Sequence, residues 1–325
     1  MGKGIGQSAN AGLAIAMNTN DRILPGVALM LGFCLIAPWI DVFSKLAAQG
    51  VPVGTVTLVR FVVQAALMAP ILLLMGLSFR LTRRAFGLTL ARAAVSILST
   101  YCFIAALKVM PLADALAIAF VEPFIILLIG RLAMNEQVGP RRIGAAIVGF
   151  AGSMLVIQPA FAHFGAVALF PLGTAFGFAL YILITRALSR HSHPVAMQFH
   201  TAFVAGVLCL PLLALGPALN EPSLTLVAPE GIFWLWCAGV GIASAISHMS
   251  MTYALKFAPS STLAPLHYLE IVPATLLGWL IFANFPNQLT LLGIAVIIAS
   301  GLYIIHRERI AARGLAVSRA LTEAP

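Results

Sequence analysis

Ten apolar stretches alternate with short polar loops along the chain, at 24–44, 54–76, 87–108, 112–132, 141–159, 166–187, 195–215, 231–254, 262–283 and 289–306. A helix needs roughly 20 apolar residues to cross the hydrocarbon core of a bilayer, and each stretch meets that length with modest tilt. Pro38, Pro123, Pro171 and Pro273 fall inside stretches. A membrane helix tolerates such a proline when its neighbours satisfy the freed carbonyl, and it kinks there. The ninth stretch differs from the rest. Segment 254–285 is almost wholly apolar, yet it carries His267, Tyr268 and Glu270 between Pro265 and Pro273. A charge at the centre of a membrane helix costs roughly 2.5–3.5 kcal/mol on insertion scales, so an ionisable residue there points to function.

The same frame occurs earlier in the chain. Ala106, Leu107, Lys108, Pro111 and Glu122 recur 148 residues later as Ala254, Leu255, Lys256, Pro259 and Glu270. After a one-residue slip, Asn135, Gly144 and Gly152 recur as Asn284, Gly293 and Gly301. The pattern predicts an all-α polytopic membrane protein with ten transmembrane helices in two five-helix repeats, 23–160 and 161–306. A polar tail (1–22) precedes them and a basic tail (307–325) follows. Five crossings is an odd number, so the second copy enters the membrane from the opposite side. Inverted repeats of this kind rock between outward-open and inward-open states around a midplane site.

Composition agrees with that class. Of 325 residues, 61% are hydrophobic and 9% charged, and the mean hydropathy is +1.02; no soluble globular domain is built from so few charges. The net charge of +9 would suggest nucleic acid in a soluble protein. Here the basic residues sit in short loops, and orientation accounts for them. With both termini cytoplasmic, fifteen of the 19 basic residues fall on the inner side, Lys45 and Lys108 fall outside, and Arg60 and Arg92 lie within spans. That bias is the positive-inside pattern of an inner-membrane protein. Cys34, Cys102, Cys209 and Cys237 all lie in apolar stretches without metal-site spacing, as small core residues without disulfides. The N-terminal tail has weak signal-peptide flanks and is expected to be a loose cytoplasmic segment. The basic C-terminal tail could lie on the anionic inner leaflet.

The candidate chemistry is confined to a few buried polar residues. His267 and Glu270 are spaced i, i+3 and share a helix face. An imidazole and a carboxylate side by side in low dielectric can pass one proton, and the plain alternative is that His267 pins two helices. Glu122, before Pro123, is the repeat mate of Glu270. Arg60 and Arg92 are expected to face a cavity or to meet Glu122, Glu270 or Asp41. A guanidinium can hold a substrate carboxylate bidentately, and an internal salt bridge is the alternative. Asp41 sits toward the outer end of the first helix, beside Pro38 and Trp39. Trp39, Tyr101, Tyr181 and Tyr253 could stack on a planar or cationic ligand. Trp234 and Trp236 read as interfacial anchors and His248 as a packing histidine. Among sequence motifs there is no nucleophile triad, phosphate loop or metal cluster, so the chain reads as no enzyme.

Two segments carry a family resemblance. One is Y-C-F-I-A-A-L-K-V-M-P-L-A-D-A-L-A-I-A-F-V-E-P-F from Tyr101, followed by N-E-Q-V-G-P-R-R-I-G from Asn135. The other is L-A-P-L-H-Y-L-E-I-V-P-A-T-L-L-G-W-L-I-F from Leu263. With ten spans in two repeats, the chain resembles the EamA-type carriers of the drug/metabolite transporter superfamily over nearly all of 24–305. The resemblance implies no bound cofactor and a central cavity lined by both repeats. It also implies transport of amino acids, related metabolites, vitamins or cationic drugs, mostly outward but sometimes inward. Glu136 ends a loop motif of that family, and Phe285 stands at its counterpart in the second copy.

The leading expectation is a secondary carrier exporting amino-acid-like compounds, coupled to protons. Uptake of a planar vitamin such as riboflavin is the alternative within transport. An intramembrane enzyme or a non-transporting scaffold are the alternatives outside it. The partners implied are a small-molecule substrate, protons and the lipid bilayer, with no nucleic acid; a homodimer is compatible with the sequence.

Overall fold

A chain in hydrocarbon must satisfy every backbone N–H and C=O internally, and a helix does this within each segment. A computed structural model describes residues 23–78, 80–133, 139–189, 192–285 and 287–322, and among them the only regular structure is helical. The N-terminal tail and the loop glutamate Glu136 lie outside the described residues. The first helices are α1 (Ile23–Ala47), α2 (Val53–Leu74), α3 (Arg83–Leu107), α4 (Leu112–Ala119), α5 (Glu122–Ala133) and α6 (Pro140–Phe164). They are followed by α7 (Leu169–Ser189), α8 (Pro194–Leu215), α9 (Phe233–Phe257), the single turn α10 (Ser260–Leu263), α11 (Ile271–Phe282) and α12 (Gln288–Thr322).

Local sequence sets the ends. Thr82 caps α3 by accepting from the Ala85 N–H at 3.2 Å, which satisfies one of the free N–H groups of the first turn. Gly76 closes α2 at φ +62°, with the Leu77 N–H reaching back to Leu72 O at 3.1 Å. A left-handed residue there is the usual helix stop, and glycine takes it without Cβ strain. Pro194 opens α8 behind His193, where its missing N–H costs nothing.

Two expected crossings turn out to be broken. Stretch 112–132 divides at Phe120–Val121 into α4 and α5, and stretch 262–283 divides into α10, a 3₁₀ segment (Ala264–Glu270) and α11. The physical cause is proline. Pro123 and Pro273 remove an N–H and press against the carbonyl four residues earlier, and Pro265 removes a further donor from the second break. Both breaks lie ahead of a half-helix that starts at a glutamate. Glu122 is the first residue of α5, and Glu270 immediately precedes α11. Free N–H groups and the positive dipole end favour a carboxylate at such a position.

Among the described residues, seven segments are long and apolar enough to cross a membrane: Ile23–Ala47, Val53–Leu74, Arg83–Leu107, Leu112–Leu132, Gly165–Ser189, Pro194–Leu215 and Ser260–Phe282. The protein is a multi-pass membrane protein. Helix α9 is as long, but Ser244, Ser247, His248 and Thr252 give it a buried polar face and lower its hydropathy. Helix α12 continues without a break to Thr322, through the segment expected to be a tail.

The bundle is turned inside out relative to a soluble protein. Leu73, Leu74, Leu132, Phe203, Trp234 and Leu280 are exposed on its outside, while Asp41, Arg60, Arg92, Glu122, His267 and Glu270 are buried. Lipid tails are as apolar as leucine, so close packing of small residues rather than hydrophobic burial holds such helices together. The dominant packings are α1 on α9, α3 on α7, α2 on α8 and α6 on α12. Each joins a helix of the first half to one of the second. The four cysteines are buried free thiols within these interfaces.

Gly241 lets α9 approach α2 beside Arg60. A Cβ there would stand 2.4 Å from Val63 Cβ and 3.3 Å from Arg60 O. Overpacking of this kind costs about 1–3 kcal/mol, so Gly241→Ala is expected to lower the melting temperature in detergent. The control is Gly206→Ala in α8, where nothing lies within 4 Å. It should be neutral or stabilising by up to about 1 kcal/mol through helix propensity. Equal melting of the two variants would contradict the packing.

Candidate functional site

The two breaks meet in the middle of the bundle, where the 3₁₀ segment packs on both α1 and α5. Beside them lies a cavity of about 100 Å³ lined from both halves of the chain. The first half supplies Phe33, Asp41, Arg60, Ser96, Ser99, Thr100, Phe103, Phe120 and Glu122; the second supplies Thr174, Phe178, His248 and Glu270. Three carboxylates and one guanidinium therefore border one small, largely apolar space.

Several of these groups are not satisfied by the protein. Arg60 donates from one terminal nitrogen to Thr100 Oγ1, and its other terminal nitrogen lies 2.9 Å from His248 Nε2. Its Nε–H has no hydrogen-bond partner, nor do Asp41 Oδ2 and Glu122 Oε1. An unmatched buried polar group costs about 1–3 kcal/mol, and more when charged. These unmatched atoms belong to residues that line the cavity, and each atom is itself buried. No carboxylate among the described residues lies at ion-pair distance from Arg60.

His267 is almost fully buried, and Nδ1 stands 3.2 Å from Glu122 Oε1, in the other half of the chain. The contact has the distance of an ion pair without the alignment of a hydrogen bond, and Nε2 is also unpartnered. The expected pairing of His267 with Glu270 is therefore replaced by one across the halves. The i, i+3 spacing keeps the two residues on one side of the 3₁₀ stretch as well, but the carboxylate within reach is that of Glu122, and the imidazole faces α5 and the rings of Phe33 and Phe178. Those rings lie 5.2 and 6.0 Å from it, centroid to centroid. Phe178 in turn stacks on Phe33 at 6.3 Å and on Tyr181 at 5.7 Å, while His248 meets Phe178 edge-on. The apolar wall is a ladder of rings.

Arg92 stands behind this wall and does not line the cavity. It is fully buried, yet it meets none of Asp41, Glu122 or Glu270. Instead it donates to Thr185 Oγ1 at 2.7 Å, Thr201 Oγ1 at 2.6 Å and Tyr181 OH at 2.6 Å, and it lies 4.3 Å from the Tyr181 ring centre. Hydroxyls and a π face solvate this cation in place of an anion.

None of the four expected aromatics lines this cavity, and Tyr181 stands behind it with Arg92. Trp39 points outward, 40% exposed, with its ring on Phe43. Tyr101 lines a separate apolar cavity between α2, α3 and α8, and its hydroxyl lies 2.5 Å from Ser223 Oγ. Tyr253 packs against His193 and Phe257. Tyr268 is fully buried, edge-on to Phe120. His248, expected to pack, also lines the cavity. Ser96, Ser99 and Thr100 are wall residues that the sequence reading passed over. Their i, i+3, i+4 spacing on an otherwise apolar helix was the signal that could have found them.

A double-mutant cycle tests the cross-half contact. His267→Gln and Glu122→Gln should couple by about 0.5–3 kcal/mol in thermal unfolding, as groups in contact do. His267→Gln with Glu270→Gln should couple less. The reverse order would contradict the geometry.

Comparison with known proteins places the chain. A riboflavin transporter of Vibrio cholerae is 28% identical over 80% of this chain and 85% of its own length. An S-adenosylmethionine uptake transporter of Rickettsia bellii is 25% identical, covering 83% of this chain and 89% of its own. The pseudopaline exporter of Pseudomonas aeruginosa is 23% identical, covering 86% and 95%. A solved crystal structure at 23% identity superposes with a TM-score of 0.66 over 85% of this chain and 94% of its own, and so shares the fold. The profile of the EamA-like transporter family matches twice, over 24–158 and 165–306, once for each half of the repeat seen in the sequence. With both copies matched and the charged cavity lying between them, the chain belongs to the EamA-like transporter family, whose members are transporters and not enzymes.

Proposed function

We propose that the protein is a proton-coupled secondary carrier of small amino-acid-like zwitterions, working by alternating access in the bacterial inner membrane, in the outward direction. The observation that carries this reading is the pairing of a spare Arg60 donor with spare carboxylate oxygens of Asp41 and Glu122 around one cavity. A zwitterion satisfies both at once: its carboxylate meets the guanidinium and its ammonium meets the acidic side. Glu122 with His267, and Glu270 facing the same space, are the groups proposed to take and release the coupling proton. The size of the cavity favours a small solute. Drug-sized ligands occupy about 300–1,000 Å³, well above the roughly 100 Å³ here.

In this reading alternating access runs on ten crossings in two inverted units, 23–160 and 161–306, with both termini cytoplasmic. Three features support that arrangement. The exchange of packing partners is two-fold: α1 on α9 mirrors α7 on α3, and α2–α8 and α6–α12 map onto themselves. The first helix of each half ends in a cation that donates to a carbonyl at or just beyond the end of that half's third helix. These are Lys45 to Met110 O at 2.6 Å and Arg186 to Leu255 O at 2.7 Å. The bias of basic residues to one side supplies the orientation.

A second reading, uptake of a planar vitamin such as riboflavin, is favoured by the ring ladder and by relatives named for riboflavin. It requires the cavity to widen severalfold.

Counterflow in proteoliposomes separates the two, using a panel of amino acids, S-adenosylmethionine, riboflavin and cationic dyes. Wild type is expected to exchange an amino acid, and an imposed pH gradient should accelerate the exchange. Arg60→Gln should raise the KM for that solute by about tenfold or more, the loss expected of a charge-assisted hydrogen bond. Glu270→Gln should exchange without responding to the gradient. A Glu270→Gln carrier that responds as wild type does would make Glu270 structural. Exchange of riboflavin and not of amino acids would replace the first reading by the second.

A further inference from the structure

From behind the cavity wall into the wall itself runs a hydrogen-bonded chain of four side chains from four helices. Arg92 (α3) donates to Tyr181 OH (α7) at 2.6 Å, Tyr181 OH lies 3.1 Å from His248 Nδ1 (α9), and His248 Nε2 lies 2.9 Å from a terminal nitrogen of Arg60 (α2). Both ends are guanidinium groups, and a guanidinium has donors only. The direction of every link follows. His248 Nε2 must accept from Arg60, so the imidazole is neutral and its one proton is on Nδ1. That N–H is then directed at the Tyr181 oxygen, which already accepts from Arg92. Tyr181 therefore serves as a double acceptor between a cation and an imidazole.

We infer that Arg92 is a positioning residue for Arg60: acting through Tyr181 and His248, it fixes the imidazole tautomer that holds the Arg60 guanidinium in the cavity wall, with its Nε–H left unpaired. The second anchor of Arg60, Thr100 Oγ1, holds the other terminal nitrogen, so both ends of the fork are occupied and Nε is the donor left over. A second brace keeps His248 in register from its backbone. Gln198 Nε2 donates to His248 O at 2.8 Å, and Gln198 Oε1 accepts from Gln64 of α2 at 2.9 Å. Gln64 lies one helical turn after Arg60, so α2 is tied to α9 at both levels. A fully buried cation with no carboxylate partner is costly to keep. Here its place in the chain supplies a donor that leaves Tyr181 to receive the His248 proton. His248 is thereby excluded as the proton carrier and assigned to orientation.

This inference rests on the carrier reading for its consequence but not for its geometry, and the test keeps the two apart. ¹⁵N NMR of the histidine-labelled full-length protein in lipid nanodiscs, assigned with His248→Gln, reads the tautomer directly. Wild type should show His248 as the single Nδ1-protonated form. Tyr181→Phe, which removes only a hydroxyl, should show a mixture of both tautomers. In counterflow, Tyr181→Phe and Arg92→Lys should each raise the KM for an amino acid by about tenfold with unchanged maximal rate. The KM for the amine that lacks its carboxylate should be unmoved. An Nε2-protonated His248 in wild type would overturn the inference. So would an equal KM change for acid and amine, which marks a general packing defect. If no panel compound exchanges, the carrier reading fails while the NMR result still decides the linkage.

Discussion

The structure depends on keeping ionisable groups inside a bundle whose surroundings cannot solvate them. Asp41, Arg60, Arg92, Glu122, His267 and Glu270 are all buried, and the low dielectric makes each unpaired charge expensive. Direct ion pairing meets little of that cost. His267 and Glu122 approach each other, but both arginines are held by hydroxyls, an imidazole and carbonyl oxygen. Such solvation by neutral groups leaves the cations charged without neutralising the carboxylates across the cavity. A site built this way suits the zwitterion proposed as its substrate.

The backbone is arranged to the same end. The two proline-induced breaks expose half-helix N-termini at the level of the cavity, and each places a glutamate there. An unwound backbone is tolerated at membrane depth only where protein or a polar space surrounds it. The close approaches that glycine permits, as at Gly241 beside Arg60, bring α2 and α9 near enough for the Arg60–His248 contact. Covalent geometry, packing and electrostatics thus converge on one region, and the exposed leucines and phenylalanines outside it need only face lipid.

Much of this was legible in the chain. Apolar length predicted a multi-pass bundle, in which seven of the ten expected stretches qualify as crossings among the described residues, and the 148-residue recurrence predicted two related halves. Glu122 and Glu270 stand out because the recurrence aligns them and because a carboxylate in oil is rare. Contacts between helices were less legible. Spacing along one helix paired His267 with Glu270, but the carboxylate it meets belongs to α5, which only the packing of the two halves brings near. Trp39 and Tyr101 lie on helices that do border the site, yet which side of a helix faces inward depends on packing that periodicity hardly records in a chain apolar all round. The role of His248 was hidden for a related reason: an imidazole becomes informative only when its two neighbours are known, and they come from α2 and α7.

The central claim is that the cavity between the halves opens to one side of the membrane at a time. Ser96, on its wall, can be replaced by cysteine in a chain whose four native cysteines are changed to alanine. A membrane-impermeant maleimide is then applied to oriented vesicles from either face while the pH gradient is reversed. The account predicts that Ser96→Cys is labelled from one face under one gradient and from the opposite face under the other. Labelling from both faces at once, or from the same face regardless of the gradient, would contradict it.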